Sequence, residues 1–193
     1  MPRHATLSKT KMADKLATVF QVNGFEGASL KLLAEATGLS KASLYHHFPE
    51  GKAEMASHVL ARSGARLQQN VLAMFDGSGS SSGAERIVKS LEGAARYYDG
   101  DVPICLMNSL LLGDGRRLFG DRIGVAVDAW QKGLAQCLEE EGVPPSEAAG
   151  WAEDAIELIQ GALILCRVRG SRDPLERCLK ALGDEVLEWT GGA

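Results

Sequence analysis

No stretch of this 193-residue chain approaches the roughly 18 consecutive apolar residues that a membrane span needs. The polar, basic run from Met1 to Leu16 has no apolar centre of the kind a signal peptide carries. The expectation is a cytoplasmic protein with no membrane partner. Cysteine is sparse: Cys105, Cys137, Cys166 and Cys178 form no CxxC pair and have no neighbouring histidine. That spacing argues against a zinc site and a disulfide framework, and the four read as reduced core thiols. Also missing are a nucleophile-elbow motif, an HExxH pair, a Walker sequence and any marked acid/base pair. The glycines of Asp76 to Gly83 (DGSGSSSG) follow no strand and read as a flexible connection, not a phosphate cradle. His46 and His47 are adjacent, so on a helix they point about 100° apart, and no third ligand lies nearby. No enzyme, cofactor or metal is expected.

What the chain does contain is ordinary in amount and unusual in placement. A hydrophobic share of 45% and a charged share of 24% suit a soluble globular protein. The length fits one large domain, or a small one fused to a medium one. Residues 1–66 hold nine Lys/Arg against five Asp/Glu, whereas residues 67–193 hold twelve against twenty. A basic first third on an acidic body suggests that the first third meets a polyanion.

Helical spacing recurs throughout, with no convincing strand alternation, so the fold class is all-α. Met12, Leu16, Val19 and Phe20 precede a stop at Gly24. Ser29 caps a short helix to Thr37, Gly38 breaks it, and Ser40 caps a second one to His47. A long helix is expected from Lys52 to about Phe75. Further segments are expected at 85–98, 104–112, about 117–141, 146–169 and 174–189. Helices 29–37 and 40–47, joined through Gly38-Leu39, have the pattern of a helix-turn-helix. Ala34 allows the second helix to cross the first, and Gly38 accepts the positive φ of the turn. Leu30, Leu33, Leu39 and Leu44 plug the interior, which leaves Lys41, Ala42, Ser43, Tyr45 and His46 facing outward. Residues at the start of a recognition helix reach base edges, while flanking hydroxyls and amides hold phosphates. His47 reads as a packing residue beside Phe48, and His58 as structural.

From Gly24 to Met55 the sequence resembles the N-terminal domain of TetR-family transcriptional regulators. The resemblance rests on Gly24-Phe25, Ala28-Ser29, Leu33-Ala34, Gly38-Leu39-Ser40, Ser43-Leu44-Tyr45, His47-Phe48 and Lys52. FPEGK holds one residue more between Phe48 and Lys52 than the commonest family pattern, as in the LmrA-like branch, and Ile159 to Leu182 is similar to that branch's last helices. The resemblance implies a three-helix DNA-binding domain (1–51) and a ligand-binding and dimerisation domain (52–193). It also implies a homodimeric repressor released from a palindromic double-stranded operator by a small effector. Carried onto matching positions, it makes Ser29 and Tyr45 phosphate contacts. Ser40, Lys41, Ala42 and Ser43 face bases or flanking phosphates, His46 contacts base or phosphate, and Lys52 contacts phosphate at the start of the fourth helix. Arg3, Lys9 and Lys11, in a region that the family pattern does not fix, could add minor-groove or backbone contacts.

Two apolar stripes mark helix 146–169: Trp151, Ala155, Leu158, Ala162 and Leu165, and beside them Ala152, Ile156, Ile159, Leu163 and Cys166. A helix apolar on two faces has more to bury than one neighbour covers. With Leu175, Leu179, Leu182, Val186 and Trp189 of the last helix, it is expected to form a four-helix dimer interface. Within this interface Trp151, Ala155, Leu158, Ala162, Leu165, Leu175, Leu179, Leu182 and Val186 are the assigned residues. The segment Ile104 to Leu112 is apolar almost all round, which suits a deep position. Its Leu106, Met107, Asn108, Ser109 and Leu110, with Tyr97, Phe119, Trp130, Trp151 and Ile159, are the candidate effector-binding residues. The scarcity of cations argues against a highly phosphorylated effector, and the mostly apolar candidate residues suit a small, largely apolar one. A small-molecule-binding helical bundle without sequence-specific DNA binding is the alternative.

Overall fold

A computed structural model describes residues 9–191. The side chain of Lys9, and Arg3 with it, lies outside the described residues. Nine α-helices and one 3-10 turn make up the described chain, with no strand: α1 (Lys9–Gly27), α2 (Leu30–Thr37), α3 (Lys41–His47), α4 (Lys52–Asn70), the turn Leu72–Phe75, α5 (Gly83–Tyr97), α6 (Leu106–Leu110), α7 (Gly115–Glu140), α8 (Pro145–Arg169) and α9 (Asp173–Thr190). The all-α expectation holds.

Two segments differ from their sequence reading. The helix from Lys52 ends at Asn70, and Leu72–Phe75 continues as a 3-10 turn. The apolar run around Met107 is helical for only five residues.

Packing divides the chain into two units. The first comprises the residues up to Ser63 together with Leu106–Asp121; the second comprises Gly64–Cys105 and the residues from Arg122 onward. This division by packing is not the functional boundary drawn between residues 51 and 52. In the first unit Met12, Ala13, Leu16 and Phe20 of α1, Leu33 of α2, Leu44 of α3 and Met55 of α4 are buried. An Arg62–Asp14 ion pair, with nitrogen–oxygen distances of 2.7 and 3.1 Å, joins α4 to α1. α6 packs on α1. There Ser109 Oγ donates to the Gln21 carbonyl at 2.8 Å, and Phe119 meets Phe25 edge-on at 5.4 Å. Leu106, Met107 and Leu110 bury their apolar faces here.

The second unit has its core between α5, the later part of α7, α8 and α9. Ser82 and Glu85 form a capping box that starts α5. Arg86, almost fully buried, holds the 3-10 turn to this start. It donates to the Phe75 carbonyl at 3.1 Å and to the Ser82 carbonyl at 3.4 Å, and pairs with Glu140. At the other end of α5, Arg66 donates to the Tyr97 carbonyl and pairs with Asp99 at 3.0 Å. Arg172, from the α8–α9 turn, donates to the carbonyls of Ala95, Tyr98 and Gly100. The orphan carbonyls that end a helix are thus met by guanidinium groups.

Candidate functional site

The helix-turn-helix is built by two serine caps and one left-handed glycine. Ser29 Oγ accepts from the Leu32 N–H at 3.2 Å, and Ser40 Oγ accepts from the Ser43 N–H at 3.1 Å. Gly38 closes α2 at φ 71°, and the Leu39 N–H returns to the Ala34 carbonyl at 3.1 Å, a C-cap that frees the chain to turn into α3. Thr37 is buried and donates to the Leu33 carbonyl at 2.8 Å. With Leu44 buried, the opposite side of α3 is presented outward. Lys41, Ala42, Tyr45 and His46 are exposed, Ser43 is half-buried, and Ser29 and Ser40 are exposed beside them.

Tyr45 is 46% exposed, and its ring edge lies beside the α-carbon of Gly51. Gly51 sits at φ 74° within the FPEGK turn, and a side chain there would press on the Tyr45 ring. His58 packs against Phe48, with ring centroids 5.7 Å apart. Lys52 is half-buried; its Nζ lies 4.4 Å from the Phe25 ring centroid and 3.4 Å from the Glu26 carbonyl. It therefore ties α4 to α1 within the domain, a role that sequence spacing did not reveal. Among the described residues no group of three His, Cys, Asp or Glu is arranged to hold a metal ion.

The ten candidate effector residues fall in both units. Leu106, Met107, Asn108, Ser109, Leu110 and Phe119 belong to the first, where Asn108 is exposed and the other five are buried. Tyr97, Trp130, Trp151 and Ile159 belong to the second and are all buried. Tyr98, beside Tyr97, is buried with its hydroxyl 3.3 Å from Gln160 Nε2 and 4.0 Å from Cys105 Sγ, and burial pushes its phenol well above the usual range. Sequence reading named Trp130 in this unit and passed over Ser90. Ser90 Oγ and Trp130 Nε1 are buried, and neither has a hydrogen-bond partner. A serine within the α5 stripe Ile87, Leu91, Ala94 was the available signal for the first.

The assigned dimer residues separate by exposure. Trp151, Ala155, Ala162, Leu175, Leu179, Leu182 and Val186 are buried inside the protomer, so they serve its own core. Leu158 and Leu165 are 56% and 44% exposed, and Ile164 and Val168 are exposed with them. Leu158, Ile164 and Leu165, together with Gly161, Cys178 and Ala181, line an open groove of about 1020 Å³ along α8 and α9, edged by Asp154, Glu157, Glu185 and Arg177. Burial raises the Cys178 thiol pKa and pushes that of Cys137 up to about 11, so both are thiols at neutral pH.

A capped helix-turn-helix with a solvent-facing second helix, set in an all-α chain, defines a DNA-binding regulator. Residues 14–59 match the family model for bacterial regulatory proteins of the tetR family, and residues 111–181 match that for the C-terminal domain of LmrA/YxaF-like transcriptional regulators. The chain belongs to the TetR family of transcriptional regulators. It is 24% identical over 172 residues to the Bacillus subtilis HTH-type transcriptional regulator YxaF, covering 87% of this chain and 89% of YxaF. Among solved structures, a TetR regulator from Legionella pneumophila shares the fold with a TM-score of 0.76 at 22% identity, over 94% of this chain and 99% of that one. A cysteine mutant of the TetR-family regulator CifR, in complex with 26-bp double-strand operator DNA, shares it with a TM-score of 0.75 at 20% identity, over 97% and 100% of the two chains. No helix among the described residues is long and apolar enough to cross a membrane.

Proposed function

We propose that the protein is a cytoplasmic, homodimeric, ligand-responsive repressor that reads a palindromic operator through α3 and leaves it when a small, largely apolar effector binds. The observation that carries this reading is the outward face of α3: Lys41, Ala42, Tyr45 and His46 are exposed on a helix fixed from behind by Leu44. Lys41, Ala42 and Ser43 form the first turn after the Ser40 cap, where base edges are within reach. Ser29, Ser40 and Tyr45 place hydroxyls for phosphates. Lys52, held by Phe25 and Glu26, supports the interface by fixing the start of α4 and adds positive charge near it.

A palindrome requires two copies of α3. The occupant proposed for the α8/α9 groove is therefore a second copy of this chain, with Leu158, Gly161, Leu165 and Ala181 at its centre. Exposed leucines on α8, facing α9 across the groove and edged by charges of both signs, suit a four-helix contact between identical faces. The element assigned to couple effector to DNA is α4, whose residues up to Ser63 belong to the first unit and the rest to the second. The effector acts as a population shift, favouring a geometry in which the two α3 helices no longer match half-sites about one helical turn apart. The repressor direction follows from the family resemblance.

Selection from randomised DNA supplies an operator, and fluorescence anisotropy across a salt series then tests the reading. Lys41→Ala and Tyr45→Ala are each expected to weaken operator binding about tenfold or more, with unchanged helicity and dimerisation. Where the removed side chain neutralised a phosphate, the salt slope should become shallower by about one. Wild-type affinity in both variants would overturn the assignment of α3.

A further inference from the structure

We propose that Ser90 and Trp130 form the polar end of the effector site, and that the effector therefore carries an uncharged hydrogen-bond acceptor, such as a ketone, ester or amide carbonyl, on an apolar body. This rests on the effector-binding reading above and adds the chemistry of the ligand to it. Ser90 is fully buried and Trp130 is 2% exposed, yet neither Ser90 Oγ nor Trp130 Nε1 is hydrogen-bonded. Buried polar groups in folded proteins are overwhelmingly paired, so two unpaired side-chain groups in one small unit need an explanation.

Their placement supplies one. α5 and α7 meet where Gly83 abuts the Cys137 carbonyl, so closely that a side chain at Gly83 would collide with it. Ser90 stands seven residues after Gly83, and Trp130 seven residues before Cys137. Seven residues make just under two helical turns, which returns each side chain to the face it started from. Both unpaired groups thus lie on the faces by which the two helices meet. Ile87, Leu91 and Ala94 of α5 and Leu134 of α7 are buried around them. Apolar surroundings with two polar points are the usual composition of a small-molecule site.

The same two groups select the ligand. An indole N–H donates and cannot accept, so an ammonium, which has no lone pair to offer, would leave it unsatisfied. A carboxylate or phosphate would need a cation. The nearest buried one, Arg86, lies one turn before Ser90 and is already committed to Glu140, the Phe75 carbonyl and the Ser82 carbonyl. A neutral carbonyl oxygen, with two lone pairs, accepts from Trp130 Nε1 and Ser90 Oγ together.

The test uses the full-length ¹⁵N-labelled protein with three probes of similar shape: acetophenone, ethylbenzene and benzoate. Of the three indole N–H signals, from Trp130, Trp151 and Trp189, that of Trp130 is identified by its loss in Trp130→Phe. Acetophenone is expected to move the Trp130 indole proton downfield in a saturable way, whereas ethylbenzene binds without that shift and benzoate binds at least tenfold more weakly. Ser90→Ala and Trp130→Phe are each expected to weaken acetophenone about tenfold while leaving ethylbenzene within twofold. Without ligand, Ser90→Ala should melt a few degrees higher, because it removes an unpaired hydroxyl. Equal affinity for acetophenone and ethylbenzene with an unmoved Trp130 signal would overturn the proposal and leave the effector site standing elsewhere. Tighter binding of benzoate would overturn the neutral-acceptor assignment. If no probe perturbs any core resonance of the second unit, the effector-binding reading falls and this inference with it.

Discussion

Leu158→Glu combined with Leu165→Glu is expected to turn the proposed dimer into a folded monomer and to lower operator affinity about 100-fold or more. Both side chains are already roughly half in water in the single protomer, so a carboxylate at either position stays hydrated and costs the fold little. In a two-fold contact the same carboxylates become buried and unpaired, four per dimer, and each carries a penalty of several kcal/mol. Loss of the second copy removes the avidity of two linked half-sites, typically 10² to 10⁴ in affinity. Sedimentation equilibrium at micromolar protein gives the mass, and circular dichroism shows that the helices persist. Cys178 provides a second readout, because it lines the same groove. Its thiol, with a pKa raised by burial, reacts slowly, and alkylation should accelerate several-fold once no second copy covers it. A variant that remains dimeric with unchanged Cys178 reactivity would place the dimer interface on another face.

Gly93→Ala is expected to destabilise the protein by about 3 kcal/mol, against the usual sign for this exchange within a helix. Alanine in place of an interior helical glycine ordinarily stabilises by roughly 0.5–1 kcal/mol. At Gly93 the added methyl would overlap the backbone carbonyl of Asn70, an atom that cannot swing aside as a side-chain tip can. α5 must then move off the end of α4, with Ala94 and Tyr97 following it out of the core. For a chain of this size the melting temperature should fall about 10 °C. Gly150→Ala in α8 is the control: nothing stands near its position, and a small gain is expected. A rise in melting temperature for Gly93→Ala would show that α5 and α4 have room to spare.

These two cases also show where sequence reading succeeds and where it stops. The helix-turn-helix was legible almost to the residue, because its boundaries are written in local chemistry. A serine that caps, a glycine that accepts φ 71° and a second capping serine act within four residues of themselves. Helix α8 is the opposite case. Periodicity shows two apolar stripes and cannot say which one the protomer keeps. The structure buries Trp151, Ala155 and Ala162 along with Ile156, Ile159 and Leu163, and leaves Leu158, Ile164, Leu165 and Val168 outside. The deciding quantity is the angle at which α9 crosses, which is a tertiary property. The run around Met107 was legible only in part for a related reason: an all-round apolar segment signals burial without naming a partner, and here the partner is α1. Ser90 and Trp130 were invisible as a pair because they belong to helices separated by some forty residues of chain.

Helix α3 reads KASLYHH and contains no arginine, asparagine or glutamine. Arginine and lysine grip guanine, and asparagine and glutamine grip adenine, through two simultaneous hydrogen bonds, each worth about 1–3 kcal/mol of discrimination, which leaves Lys41 as the residue of α3 able to do so. Where α3 reads bases as proposed, Ala42 has only a methyl to set against thymine, Ser43 accommodates more than one base, and Lys41 with His46 would supply the directional hydrogen bonds. On that reading the information content per half-site is low. A few positions stay nearly invariant while their neighbours drift, and preference at the drifting ones comes from the bendability of the duplex. In a genome such a reader faces many near-matches, and which promoters it occupies depends on its copy number as much as on the letters it can spell.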